Sequence, residues 1–115
     1  MQYLLLIYNN ESAMLSRPAE EAKQSMAAYM AYAEAMRKAG VLVGGQRLRP
    51  TNDATTVRAA NGKTSVLNGP FAETKEQLGG YFLIEAPDLD EALAWAKRCP
   101  GAATGSIEVR PVWTM

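Results

Sequence analysis

Apolar residues recur along the first third of the chain with two different periods. Residues 3–8, YLLLIY, are apolar at both odd and even positions, a pattern typical of a strand that is covered on both faces. The polar residues 9–16 predict a loop, with Ser16 as the cap and Pro18 in the first turn of a helix that stops at Gly40. Apolar residues three or four apart predict the buried stripe of this helix: Ala22, Met26, Tyr29 or Met30, Ala33 and Met36.

Shorter patterns follow in the rest of the chain. Two β-rich runs over residues 55–67 flank Asn61-Gly62, the dipeptide that most strongly favours a tight hairpin. Gly79-Gly80 opens a strand, where paired glycines predict a bulge or the close approach of another segment. The remaining predicted elements are a strand over 41–49, one helical turn over 72–78, a strand over 79–86, a helix capped by Asp88 and a closing strand over 106–113.

The order of these elements predicts the fold. Without the hairpin it is β-α-β-β-α-β, a ferredoxin-like α+β motif in which two helices cover one face of an antiparallel sheet. We expect residues 1–115 to form one domain. The other face of the sheet also carries apolar side chains, such as Leu4, Leu6 and Tyr8 on the first strand. Because an apolar face needs a cover, the sequence predicts a symmetric homodimer packed through the sheets.

Charge and segment length exclude two classes of partner. The chain balances 12 lysines and arginines against 12 acids and contains no basic run, so we expect no nucleic-acid partner. No segment approaches the ~20 apolar residues of a membrane span. The apolar run at residues 3–8 is short and is followed by Asn and Glu, unlike a signal peptide. A cytoplasmic protein without a membrane association is therefore expected.

The scarcity of histidine and cysteine excludes several chemistries. The chain has no histidine and a single cysteine, Cys99. Histidine-based triads, Cys–His nucleophiles, histidine-ligated zinc and an intrachain disulfide are therefore impossible. We expect neither a metal nor a cofactor.

A long motif carries a family resemblance. Residues 68–100, NGPFAETKEQLGGYFLIEAPDLDEALAWAKRCP, followed by IEVRPV, resemble the DGPF branch of the YCII-related family, and the opening MQYLLLIY and the TTVR…GK hairpin fit it as well. The resemblance implies a dimeric α/β barrel of ferredoxin-like subunits and, through its gene associations, a regulatory link to an extracytoplasmic-function sigma factor. Folds related to it host small-molecule binders, cofactor-free monooxygenases and isomerases.

The chain departs from the family pattern at two points. Asn68 stands where the branch motif has Asp, so a proton carrier at this position is lost while the turn-forming side chain is kept. The wider group has members with a proposed His–Asp pair, and the absence of histidine means that this role transfers to no residue.

Polar side chains on and near the predicted strands supply the site candidates. Glu73 and Lys75 belong to a charged cluster that is either a solvated turn or one wall of a cleft in which Glu73 acts as a general base. The strand face with Tyr81 and Glu85 is expected to join Glu108 and Arg110 in either a closed salt-bridge network or a polar pocket. The ligand-binding candidates are Arg47, Arg49, Glu73, Lys75, Tyr81, Glu85 and Arg110.

Two functional hypotheses remain open at this point. The first is a homodimeric small-molecule-binding or regulatory module. The second is a cofactor-independent enzyme, of the isomerase, lyase or monooxygenase kind, that uses Tyr81, Glu73 and an arginine on a small oxygenated organic substrate. A purely structural interaction protein is a third interpretation. The absence of a visible nucleophile–base pair favours binding over catalysis.

Overall fold

The computed structural model describes residues 1–114. Six strands and three α-helices follow one another along the chain, with 3₁₀ turns at Thr51–Asp53 and Pro100–Ala103. The strands are Gln2–Asn9 (β1), Leu42–Arg47 (β2), Thr55–Ala60 (β3), Lys63–Asn68 (β4), Gln77–Glu85 (β5) and Ser106–Pro111 (β6), and the helices are Glu11–Leu15 (α1), Ala19–Lys38 (α2) and Leu89–Arg98 (α3).

The sheet confirms the predicted ferredoxin-like α+β class. Four strands pair in the order β2-β5-β1-β6, and all three pairings are antiparallel. Strands β3 and β4 form a separate two-stranded sheet. Asn61 and Gly62 join them with φ values of 52° and 76°, the positive pair that a tight hairpin turn requires. The predicted hairpin insertion is therefore confirmed.

The core lies between the four-stranded sheet and the helices α2 and α3. Tyr3, Leu5 and Ile7 of β1 are buried and alternate with half-buried neighbours, as the period of two in a strand dictates. Met36 of α2 and Ala92 of α3 pack against them in the same cluster. The Tyr32 hydroxyl donates a hydrogen bond to the Trp95 carbonyl at 2.7 Å, so the two helices are tied together as well as packed.

The segment between β1 and α2 differs from the prediction. Residues 9–16 were expected to be a loop, but α1 forms there because the Asn10 side chain accepts a hydrogen bond from the Ala13 amide at 3.0 Å. Ser16 closes α1 instead of opening α2. Pro18 is the N-cap of α2, a position that tolerates its missing N–H.

The predicted stripe of α2 is wrong at Met26, and of the alternatives Tyr29 and Met30 the structure takes Tyr29. Met26 and Met30 are 52% and 68% exposed, whereas Tyr32 and Met36 are buried and Tyr29 is half-buried. Met30 lies about 100° around the helix from Tyr29, which carries it beyond the face that contacts the sheet. Periodicity offered both residues as alternatives, and the sheet selects the aromatic side chain.

The helical turn predicted over residues 72–78 is absent. Residues 71–76 are irregular, and β5 begins already at Gln77. Gln77 pairs with Asn9 in the ladder between β5 and β1. Ladder hydrogen bonds to a central strand thus overcome the weak local helix preference.

Candidate functional site

The face of the sheet opposite the helices carries a central apolar stripe, and we call it the open face. Its apolar members are half-buried: Leu4, Leu6, Tyr8, Tyr81 and Leu83. Across the strands Leu6 lies between Tyr81 and Glu108, and Leu4 lies between Leu83 and Arg110. Apolar residues therefore occupy the two central strands, and charges occupy the β6 margin.

The charged residues of the open face do not form one network. Arg110 donates to Glu108 through Nε at 3.0 Å, and this contact raises the pKa of the Arg110 guanidinium. Glu85 instead accepts from the N-terminal ammonium of Met1 at 2.9 Å. Both pairs are exposed, so solvent screens them. The predicted closed network is thus replaced by two separate surface pairs.

A cavity of about 300 Å³ lies at one edge of the sheet, and we call it the edge pocket. It forms where β1 and β2 end and β5 begins. Its lining residues are Asn9, Glu11, Met14, Leu15, Arg47, Leu48, Arg49, Pro50, Gln77, Leu78 and Gly79. The cavity is a half-open cleft with a mainly apolar wall, and its volume lies at the lower end of the range for small-molecule sites.

The rim of the edge pocket is fixed by hydrogen bonds between distant segments. The Glu11 carboxylate accepts from the Thr51 amide at 2.8 Å and also from the Thr51 hydroxyl. The Glu11 amide donates to Gln77 Oε1 at 2.9 Å, and Gln77 Nε2 donates to the Thr74 carbonyl at 2.6 Å. These bonds tie α1, the 50–53 turn and the start of β5 together, so the wall is largely preformed.

Two polar groups in the edge pocket have unmet hydrogen-bonding capacity. Asn9 Nδ2 makes only a weak contact with Met14 Sδ at 3.4 Å, and Asn9 Oδ1 is buried without a partner among the described residues. Arg49 pairs with Asp53 at 2.9 Å, whereas Arg47 forms no ion pair within residues 1–114. A buried acceptor without a donor is uncommon and costly. The pocket therefore presents an acceptor and a free cation together.

Gly79 lies beside the Asn9 amide. It is the extra residue of a bulge, because Ile7 pairs with Gly80 while Tyr8 already pairs with Leu78. A Cβ on Gly79 would lie 3.4 Å from Asn9 Oδ1, and the glycine leaves this space to the cavity. The predicted bulge at the double glycine is confirmed.

The structure places the seven predicted site residues in three regions. Arg47 and Arg49 line the edge pocket together. Glu73 and Lys75 are exposed in the irregular 71–76 segment and line neither the edge pocket nor the open face. The other three, Tyr81, Glu85 and Arg110, lie at the open face.

Sequence reasoning missed Asn9, Glu11 and Gln77. The polar run that follows the buried strand β1 was a usable signal for Asn9 and Glu11, because binding residues often follow a rigid strand. Gln77 carried no such signal, since its partners, Glu11 and Thr74, come together only in the folded chain.

A second cluster of titratable groups is buried beneath the helices. Cys99 Sγ lies 3.9 Å from the Tyr29 hydroxyl, and burial raises the pKa of this thiol and of Tyr29 and Tyr32. All three groups therefore stay protonated at neutral pH, and a protonated thiol is a poor nucleophile. In the part of the chain that the structure describes, no group of three acids and cysteines is placed to hold a metal ion.

No helix within residues 1–114 has both the length and the apolar character needed to cross a membrane.

The architecture defines a small ferredoxin-like α+β domain with a binding-sized cavity at one sheet edge. The chain belongs to the YCII-related family, whose domain model matches residues 1–115. This confirms the resemblance carried by the motif at residues 68–100.

Two relatives show the range of this similarity. The uncharacterized protein R00369 of Rhizobium meliloti (strain 1021) is 45% identical over 114 residues, which cover 97% of this chain and 92% of that protein. A solved structure of 5-chloro-2-hydroxyhydroquinone dehydrochlorinase from Burkholderia phenoliruptrix AC1100, in complex with 2,5-dihydroxybenzoquinone, is 19% identical with a TM-score of 0.53. The match covers 99% of this chain and 94% of the dehydrochlorinase chain. At this identity the likeness demonstrates the fold alone.

Proposed function

We propose that this YCII-related protein is a homodimeric module that binds a small organic anion in the edge pocket. One observation carries the proposal: Arg47, which has no ion-pair partner within residues 1–114, and Asn9, whose buried Oδ1 has no partner there, line the same cavity. Arginine binds carboxylates and phenolates through a planar fork of donors. Asn9 Oδ1 is buried, so a hydroxyl or N–H donor on the ligand would reach it only after the Asn9 amide rotates into the cavity.

The rest of the wall narrows the chemistry of the ligand. Most of it is apolar, with side chains from Met14, Leu15, Leu48, Pro50 and Leu78. A compact apolar body that carries one anionic group and one hydroxyl would satisfy the cation, the acceptor and the wall together. A hydroxylated aromatic or aliphatic acid has this combination.

The homodimer is part of the proposal because the open face needs a cover. Leu4, Leu6 and Leu83 lie at the centre of a sheet face that α2 and α3 do not reach. Isologous packing of two such faces would bury them. Light scattering at micromolar concentration should give twice the 12.5 kDa chain mass, and a monomer would contradict this part of the proposal.

A thermal-shift screen with benzoate, 2-hydroxybenzoate and 2,5-dihydroxybenzoquinone tests the binding site. Arg47→Met should raise the Kd of any hit at least tenfold, the ordinary loss for a charge-assisted contact. Arg37→Met is the matched control, because Arg37 pairs with Glu34 on α2 outside the pocket, and it should change the Kd less than twofold. Equal effects of the two substitutions would remove the edge pocket from the proposal.

A cofactor-independent enzyme is the second candidate, and the dehydrochlorinase fold relative favours it. The Tyr81 hydroxyl is half-buried on the open face and forms no hydrogen bond with the described residues, so it is free to contact a substrate held between two packed sheets. Arg110 is the arginine that lies on the same face, whereas Glu73 lies outside this face. Turnover of a chlorinated hydroquinone that Tyr81→Phe abolishes would support the enzyme, and binding without turnover would favour the module.

The association with an extracytoplasmic-function sigma factor stays a prediction from the family resemblance. Co-purification of the chain with a sigma factor encoded beside its gene is the direct measurement.

A further inference from the structure

The β3–β4 hairpin, residues 55–68, is almost entirely exposed to solvent in the single chain, and we call it the arm. Every residue of its two strands except Thr56 is exposed. Val57 and Val66 are 64% and 65% exposed, although valine is favoured in strands for packing against neighbours. An isolated two-stranded hairpin is only marginally stable in water. The arm therefore lacks a surface to pack on.

The two sides of the arm carry different side chains. Val57 and Val66 are direct cross-strand partners, and Ala59 shares their side. Arg58 points to the other side, where its guanidinium lies 5.2 Å from the centre of the Phe71 ring. Leu67 on the Arg58 side is still 52% exposed, so the Phe71 contact covers little of that side, and the valine side has no such contact.

The whole molecule exposes more surface than a self-contained monomer of its size. Its accessible area is 8239 Å², against about 6,200 Å² expected for a folded monomer of 12.5 kDa. Its radius of gyration is 16.0 Å, against about 13 Å for a compact domain of this length. The excess of about 2,000 Å² is within the ~1,000–2,500 Å² that each subunit of an obligate homodimer buries.

We propose that the arm packs across a dimer interface onto a second copy of this chain, with Val57 and Val66 against the partner. The proposal rests on the homodimer of the preceding section and adds a second contact to it. The arm leaves the four-stranded sheet where β2 ends and returns where β5 begins, so it starts at the end of the sheet that carries the edge pocket. A six-residue strand reaches about 20 Å, far enough to extend from one subunit over the next.

A second copy is the occupant that the area favours. The same chain has two uncovered apolar surfaces, the open face and the valine side of the arm, and an isologous dimer covers both in both subunits. The excess area matches one chain's share of an obligate dimer.

A charge-pair substitution tests the contact without unfolding the arm. Val57→Glu with Val66→Lys places opposite charges directly across the two strands, where they support the hairpin, but it puts ions into a dry interface. Met26→Glu with Met30→Lys is the matched control. It makes a favourable i,i+4 pair on the exposed side of α2 and replaces equally exposed apolar residues.

The dimer dissociation constant is measured by sedimentation for wild type and both pairs. Hydrogen exchange of the arm amides is measured at protein concentrations above and below that constant. We expect the arm pair to raise the Kd at least tenfold, the control pair to change it less than twofold, and the arm amides to gain protection only in the dimer. The arm contact is overturned, and the homodimer stands, if the wild type is a dimer but the arm pair leaves the Kd unchanged and dimerisation does not protect the arm amides. Equal weakening by both pairs would also overturn it, and a wild-type monomer would overturn both.

Discussion

Replacing Gly80 by alanine should push apart two paired strands of the central sheet. A Cβ at this position would lie 2.9 Å from the Gln46 carbonyl oxygen and 3.5 Å from Arg47 Cα. Both atoms belong to the backbone of β2, so no side chain can rotate to make room. The neighbouring Gly79→Ala is the matched comparison, because its Cβ would meet only the Asn9 amide at 3.4 Å, an ordinary contact.

The magnitude follows from two opposing terms. Overpacking against a rigid neighbour costs about 1–3 kcal/mol, and the lost flexibility of the unfolded chain returns about 0.4–1 kcal/mol. Gly80→Ala should therefore lower the free energy of unfolding by about 1–2 kcal/mol. With about 2.1 cal/mol/K of unfolding entropy per residue over 115 residues, this corresponds to a Tm about 4–8 °C lower.

Thermal unfolding followed by circular dichroism measures the difference. Gly79→Ala should keep the wild-type Tm or raise it slightly. Its methyl group takes space beside Asn9 and should weaken the binding of any ligand in the edge pocket. If Gly80→Ala were as stable as Gly79→Ala, the close approach of β2 to β5 would not be what requires a glycine at residue 80.

Two further predictions concern the helices. Asp88→Ala removes the cap that accepts from the Glu91 amide at 2.9 Å and should cost about 1 kcal/mol in urea unfolding, whereas Asp90→Ala, which removes no cap, should cost only a few tenths. An equal loss in both variants would mean that general helix charge, and not the cap, is responsible. Alkaline pH should destabilise the fold, because burial raises the pKa of Tyr29 above its ordinary value of 10.0. Above that pH the unfolded chain has lost a phenolic proton that the folded chain retains, so the free energy of unfolding falls as pH rises. Tyr29→Phe has no such proton, so its Tm should fall less than that of wild type between about pH 8 and about pH 11. An equal fall in both proteins would mean that the Tyr29 phenol is not responsible for this pH dependence.

Local sequence signals were sufficient to predict several elements of the fold. The hairpin follows from Asn61-Gly62, because only a few residue pairs adopt two successive positive φ angles. The start of α3 follows from Asp88, whose side chain caps the helix three residues on. The pair Gly79-Gly80 predicted either a bulge or a close approach, and the structure has the bulge at Gly79 and the close approach at Gly80. Together with the order of elements, these signals were sufficient to predict the ferredoxin-like class.

Which side chains meet depends on the packing of the whole chain. It selected Tyr29 over Met30 for the core, because the sheet contacts one narrow arc of α2. It extended β5 back to Gln77, because pairing with Asn9 outweighs a weak local helix preference. It separated Glu85 from Arg110 and gathered Asn9, Arg47 and Gln77 into one pocket. Local propensity acts over a few residues, whereas a site built from the ends of three strands depends on how those strands are paired in the sheet.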